Sequence, residues 1–152
     1  MPWTPIWVDD TYGPRCSQYP FDPYSFTHID HGLMMFLVFG GSDIWRFLLC
    51  VALEILWEVV ENSQFVINKF RAGGASPNYV GDSFQNNVGD VISCSFGYLM
   101  CLVLPWPAMV SYFITSEVIL SLLIRDSLLL IMIQLVVNLP KLKQWQAARL
   151  KK

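Results

Sequence analysis

Apolar positions run along this chain in long blocks of helical length, punctuated by short polar or Gly/Pro-rich breaks rather than by solvated faces. Residues 1–23, rich in Pro, Gly, Tyr and Asp, carry no sustained period and read as an irregular aromatic arm. A first helix is predicted over 24–40, ended by Gly40-Gly41. Ser42 or Asp43 is placed to cap a second helix running to residue 70, and 71–81, with Gly73-Gly74 and Pro77, reads as a loop. Asp82 and Ser83 cap a third helix reaching 104, and Pro105-Trp106-Pro107 reads as a tight interfacial turn before a fourth helix to 124. Arg125-Asp126 breaks the apolar run. Residues 127–139 are too few to span a bilayer, so a short re-entrant or interfacial fifth helix is expected there. Beyond Pro140, residues 140–152 read as a basic amphipathic tail suited to lipid headgroups.

The fold this predicts is all-α: a polytopic membrane bundle over 24–139, with four transmembrane helices and the short fifth one. Composition agrees, with 54% hydrophobic and 14% charged residues and no charge anywhere in 91–116. A soluble bundle would carry Lys and Glu at helical spacing on its outer faces, and such faces are missing. The net charge of −2, with basic residues clustered only in 141–152, argues against nucleic acid as a partner. Cys16, Cys50, Cys94 and Cys101 form no C-x-x-C pair and are expected as small buried hydrophobes. Residues 2–8 are too short and lack the basic start of a cleavable signal, so insertion is expected from the mature helices.

Ionisable groups at membrane depth are costly and persist where they pair, line a cavity or do work. Glu54, Glu58 and Glu61 fall at i, i+4, i+7; Asp82, Asn86 and Asp90 at i, i+4, i+8; Glu117, Ser121 and Arg125 likewise, so each set forms one stripe. Alternating four spans brings His28, His31, Glu58, Glu61, Asn62, Asp82, Asn86, Arg125 and Asp126 to one side of the bundle. At ~1.5 Å per residue, Glu54, Asp90 and Glu117 lie roughly 10–12 Å deeper. A polar funnel entering from one face is the expectation. Its orientation stays open, because a crossing by 127–139 would move the basic tail to the other side and reverse the charge count.

Several chemistries suit such a funnel. His28-x-x-His31 turns two imidazoles to one helix face, and with Glu58, Glu61 or Asp90 opposite it makes a mixed donor set for Zn, Mn or Fe. The Glu-x-x-His pair of a di-iron bundle is missing, and His28 could equally anchor its helix at the interface. Glu54, Glu58 and Asp90 could relay protons. Arg71, Arg125 and the helix start at Asp82-Ser83 could hold a phosphoryl group with His31 as base, although Asp82 occupies the place of the anion. A purely structural account pairs Arg125 with Glu117 or Asp126 and uses Asn62, Asn86 and Asn87 as interhelical hydrogen-bond glue.

The segments 24–32, Glu54 through Trp57-Glu58 to Glu61-Asn62-Ser63, Tyr79 to Asp82-Ser83 with Asn87 and Asp90, then Arg125-Asp126 and Trp145-Gln146 resemble uncharacterised protein family 0314, small bacterial inner-membrane proteins of unknown function. The resemblance covers about 17–146, implies a polytopic membrane fold and supplies no activity. This chain departs from that family's pattern. It has Cys16 alone where the family has a cysteine pair, Ser127 and Ile131 where the family has Asn, and Val91 where a Thr accompanies the third-helix Asp. Loss of hydrogen-bonding groups on a retained scaffold implies a non-catalytic, structural or lipid-stabilising subunit of an energy-converting, respiratory-type complex in a bacterial or mitochondrial inner membrane. Bound phospholipid and other membrane subunits are its expected partners. The alternative is an intramembrane metal- or proton-dependent enzyme or ion-handling protein, with His28, His31, Glu58 and Asp90 as candidate ligands of a divalent metal ion.

Overall fold

The computed structural model describes residues 5–148. Among these residues the fold is all-α, with helices α1 Ser25–Phe39, α2 Ile44–Glu61, α3 Gln64–Gly73, α4 Phe84–Val103, α5 Trp106–Leu123, α6 Leu128–Val136 and α7 Pro140–Ala147. Residues 1–4 and 149–152, the ends of the expected arm and tail, lie outside the described residues.

The expected long second helix is two helices. Asn62 ends α2 and Ser63 opens α3, its Oγ accepting from Val66 N at 3.4 Å. The physical reason is side-chain competition for the backbone: the Asn62 amide is recruited by the loop before α4, its Oδ1 accepting from Asp82 N at 2.7 Å. α3 then continues to Gly73, and Gly74, at φ +99°, supplies the left-handed turn that stops it. The expected tight turn before α5 sits at Leu104-Pro105, and Trp106-Pro107 already belong to the helix, because proline suits a first helical turn that has no N–H partners to lose. Pro140 likewise opens α7.

α1 and α4 form the central pair. Their backbones meet so closely that a Cβ on Gly32 would lie 1.9 Å from the Cys94 carbonyl oxygen, and one on Gly97 would lie 2.0 Å from that of Ile29. Gly89, Ser93, Gly97 and Cys101 repeat every four residues along the buried side of α4, the small-residue stripe that lets two helices approach. Around it pack Cys50, Tyr98, Phe36, Phe39 and Phe47. All four cysteines are free and buried, as expected.

The polarity of the fold is inverted. Glu54, Asp30 and Gln146 are fully buried at 0% exposure, whereas Val38 (79%), Val59 (67%) and Leu122 (74%) face outward. α5 is long and apolar enough to cross a membrane by length and composition, and among the described residues it is the one helix that passes this test. Four spans are therefore not what helix length and apolarity support: α1 has 15 residues, short of the ~20 needed, and α2 carries Arg46 and three glutamates.

Within the described residues the arm and the start of the tail are docked on the bundle. In the arm, residues 6 and 8 bracket Phe21 with backbone hydrogen bonds of 3.0 and 3.1 Å, and Asn86 Nδ2 donates to the Tyr19 carbonyl at 3.0 Å. The expected tail begins as a helix whose Gln146 lies in the interior.

Candidate functional site

The polar stripes converge on His28. On α2, Cys50, Glu54 and Glu58 are the buried residues, one turn apart, because that face meets α1 and α4. Glu54 receives both imidazoles: His28 Nδ1 lies 2.5 Å from Oε1 and His31 Nδ1 3.1 Å from Oε2. With Nδ1–H given to a carboxylate, the tautomer of a neutral His28 is set and its Nε2 lone pair faces away from Glu54. On that side stands α4, with Asp90 Oδ2 3.7 Å from Nε2. Ser25 Oγ donates to the other Asp90 oxygen at 3.3 Å.

Glu58 completes the group. It is 3% exposed, with Oε1 3.4 Å from His28 Nδ1, a nitrogen already committed to Glu54. Among the described residues neither Glu58 oxygen has a hydrogen-bond donor. His28, Glu58 and Asp90 offer ligand atoms within 4.8 Å of one another, and so do His28, His31 and Glu54. A cavity of about 30 Å³ reaches His28 and Asp90 from the side of Glu61, Asp82 and Asp126, and no lysine or arginine lines it. That volume holds a water or a single ion.

A family model described as "Protein of unknown function (DUF2585)" matches residues 3–148. The chain belongs to this family. Its relatives include a "UPF0314 protein" of Paracoccus denitrificans, 34% identical over 94% of this chain and 77% of the relative. Another, from Brucella anthropi, is 35% identical over 86% of this chain and 69% of its own length, and one from Sphingopyxis alaskensis is 30% identical over 93% and 78%. These relatives are bacterial. No solved structure matches.

Within this family member, the funnel expected from spacing is gathered only in part. His28, His31, Glu54, Glu58 and Asp90 form the cluster, with Glu61 and Asp82 on the cavity wall. Asn62 and Asn86 act as glue: Asn62 Nδ2 donates to Asp82 Oδ2 at 3.3 Å and to Asn87 Oδ1 on α4 at 3.4 Å, and Asn86 ties the arm to α4. Glu117 and Arg125 do not join. Glu117 accepts from Leu129 N at 3.3 Å, and Arg125 donates to the Trp145 carbonyl with its guanidinium over the Trp145 ring. The expected stripe of Glu117, Ser121 and Arg125 does not form: α5 ends at Leu123, Arg125 has a left-handed backbone at φ +56°, and α5 turns Ser116 inward and leaves Glu117 half-buried. Of the family departures, Ser127 caps α6 and Ile131 makes part of the cavity wall.

Three buried acids or partners lay outside the sequence expectation. Asp30 accepts from Ser116 Oγ at 2.7 Å on the opposite side of α1. Asp22 collects the backbone N–H of Tyr24 at 2.7 Å and of Ser17 at 3.1 Å, organising the arm. Gln146 donates to Asp126 Oδ1 at 3.2 Å and accepts from Gln134 Nε2 at 2.9 Å. Only Asp30 had a legible signal, as an acid inside an apolar helix.

Burial lifts the carboxyl of Asp126, in the α5–α6 loop, to about 7. An unfolded aspartate titrates near ~3.9, so between roughly pH 4 and 7 the folded chain holds a proton that the unfolded one has lost, and this residue's contribution to stability falls as pH rises through that window. Asp126→Asn keeps the acceptor for Gln146 and removes the charge. Melting temperatures measured at pH 5 and pH 8 are expected to differ less in Asp126→Asn than in wild type; equal differences would assign the titration elsewhere.

Proposed function

We propose that this chain is a multi-pass, membrane-embedded protein whose buried cluster binds a divalent metal ion at His28, Glu58 and Asp90. One observation carries the metal reading: Glu54 holds Nδ1 of His28, leaving Nε2 turned toward Asp90 at 3.7 Å, while Glu58, with no donor for either oxygen, offers a ligand atom within 4.8 Å of those of His28 and Asp90. A carboxylate hydrogen-bonded to the far nitrogen of a ligating histidine is the usual outer support of a metal site. The 3.7 Å between Nε2 and Asp90 Oδ2 is long for a hydrogen bond and suits two ligands of one ion at about 2.0–2.2 Å each. Imidazole with carboxylates fits Zn, Mn or Fe. Among the described residues the ion pairs of Glu54, Glu58 and Asp90 are with His28 and His31 and none is with a lysine or arginine, so a cation also supplies charge the group lacks.

The inverted polarity supports the membrane reading, since large apolar side chains outside and polar side chains gathered inside suit a hydrocarbon surround. α2, α4 and α5, with 18, 20 and 18 residues, have near-spanning lengths, and α1 and α6 complete the bundle.

Protein purified in mild detergent is expected to carry about one equivalent of metal by mass spectrometry, as a single mixed-donor site requires. Asp90→Asn and Glu58→Gln should lose it, and Glu117→Gln should keep it. Wild type that stays metal-free after growth with added Zn, Mn and Fe would overturn the assignment. The accessory-subunit reading draws on the same apolar belt, which a respiratory-type partner covers as well as lipid does. Fixed-ratio co-purification with larger membrane subunits and no bound ion would carry it instead.

A further inference from the structure

The cluster is also reachable from the side. A groove of about 360 Å³ runs between α1, α2 and α6, with Met34, Met35 and Met132 in its wall and exposed Val38 at its rim. Its inner end is His31, Glu54 and Trp57. The rim belongs to the outward apolar belt, so an occupant enters from an apolar phase. Methionines, unbranched and polarisable, make a wall that adapts to a flexible chain. The volume lies near the lower end of the ~300–1,000 Å³ of small-ligand sites, which suits one chain rather than two.

The inner end specifies the head of that chain. The Trp57 indole N–H is buried and has no acceptor among the described residues, while the His31 ring packs edge-on against the indole, centroids 5.7 Å apart. An occupant must therefore bring an acceptor oxygen, since an unmet buried donor is unfavourable. The Glu54 carboxylate beside it repels an anionic end and so disfavours a free fatty acid. A neutral ester carbonyl meets both demands.

We propose that this groove binds one fatty-acyl chain of a membrane lipid, with the ester carbonyl accepting from Trp57 Nε1 beside the His31–Glu54 pair. This rests on the membrane-embedded reading above and names the ligand class that reaches its site.

The test places the full chain in vesicles of phosphatidylethanolamine and phosphatidylglycerol containing a phosphatidylethanolamine with a photoactivatable diazirine on its acyl chain, and maps adducts by mass spectrometry. Adducts are expected to concentrate on Met34, Met35 and Met132. Val38→Trp, a change at an exposed position, should abolish them while leaving background labelling of Ile114 and Val118 on the outer face of α5. Trp57→Phe should lower groove labelling on the order of fivefold, the worth of one hydrogen bond. Even labelling of groove and α5, indifference to Val38→Trp, or displacement of the label by an isoprenoid quinone or free fatty acid but not by excess phospholipid would overturn the proposal. Metal content read on the same samples separates the two readings: groove labelling without metal sinks the metal site alone, and metal without groove labelling sinks this one alone.

Discussion

Glu54→Ala is expected to lower stability by about 2–6 kcal/mol, since two buried N–H donors each lose their acceptor at about 1–3 kcal/mol apiece. Glu54 is fully buried and receives the Nδ1 atoms of His28 and His31 at 2.5 and 3.1 Å, so its loss leaves two imidazoles without their acceptor in the interior. Glu54→Gln separates packing from charge. It retains the shape and an acceptor oxygen, so it is expected to fold, but the weaker support of His28 should reduce metal affinity about 10–100-fold. Chemical denaturation of both variants with metal titration of Glu54→Gln checks this. Wild-type stability in Glu54→Ala, or unaltered metal affinity in Glu54→Gln, would remove Glu54 from the centre of the site.

Gly97→Ala should be comparably damaging although it adds one methyl group. Its Cβ would sit 2.0 Å from the Ile29 carbonyl oxygen, a backbone atom that cannot swing aside, so α1 and α4 must separate. The expected loss is at least about 3 kcal/mol, the upper part of the range for overpacking a close-packed interior. Metal binding should fall with it, because His28 and Asp90 face each other across that interface. Gly41→Ala is the control: the added methyl meets the flexible Arg46 side chain at 2.7 Å, which can move, and Gly41 lies in a loop. Thermal unfolding of the two variants side by side decides the matter. Equal melting temperatures would mean that the helix pair tolerates separation.

Much of the site was legible before the fold was known, and the reason is local. Glu54 and Glu58 share a face because they lie one turn apart, and His28 and His31 because they lie three residues apart. Asp30 sits between the two histidines in sequence but not on their face of α1. Two residues along a helix is about 200° of rotation, so it faces Ser116 on α5 and not the cluster. The break at Asn62-Ser63 carries local signals, an Asn followed by a good cap, but the apolar pattern continues through it and masks them. Gln146 had no local signal. Its role comes from docking α7 against Asp126, a pairing 20 residues apart in sequence.

The sequence by itself determined an all-helical chain with apolar outer faces, an ionisable stripe on α2 and the single acid Asp90 on α4, because helical periodicity is a property of one segment at a time. Tertiary structure alone decided that His28, rather than the carboxylates, is the hub, that Glu54 supports it while Glu58 lacks a donor, and that Glu117 and Arg125 stand apart. Those outcomes depend on how closely α1 and α4 approach and on how each helix is rotated about its axis. Both are set by the interlocking of Gly32 and Gly97 with the facing backbone, and neither can be read from the spacing of residues within either helix.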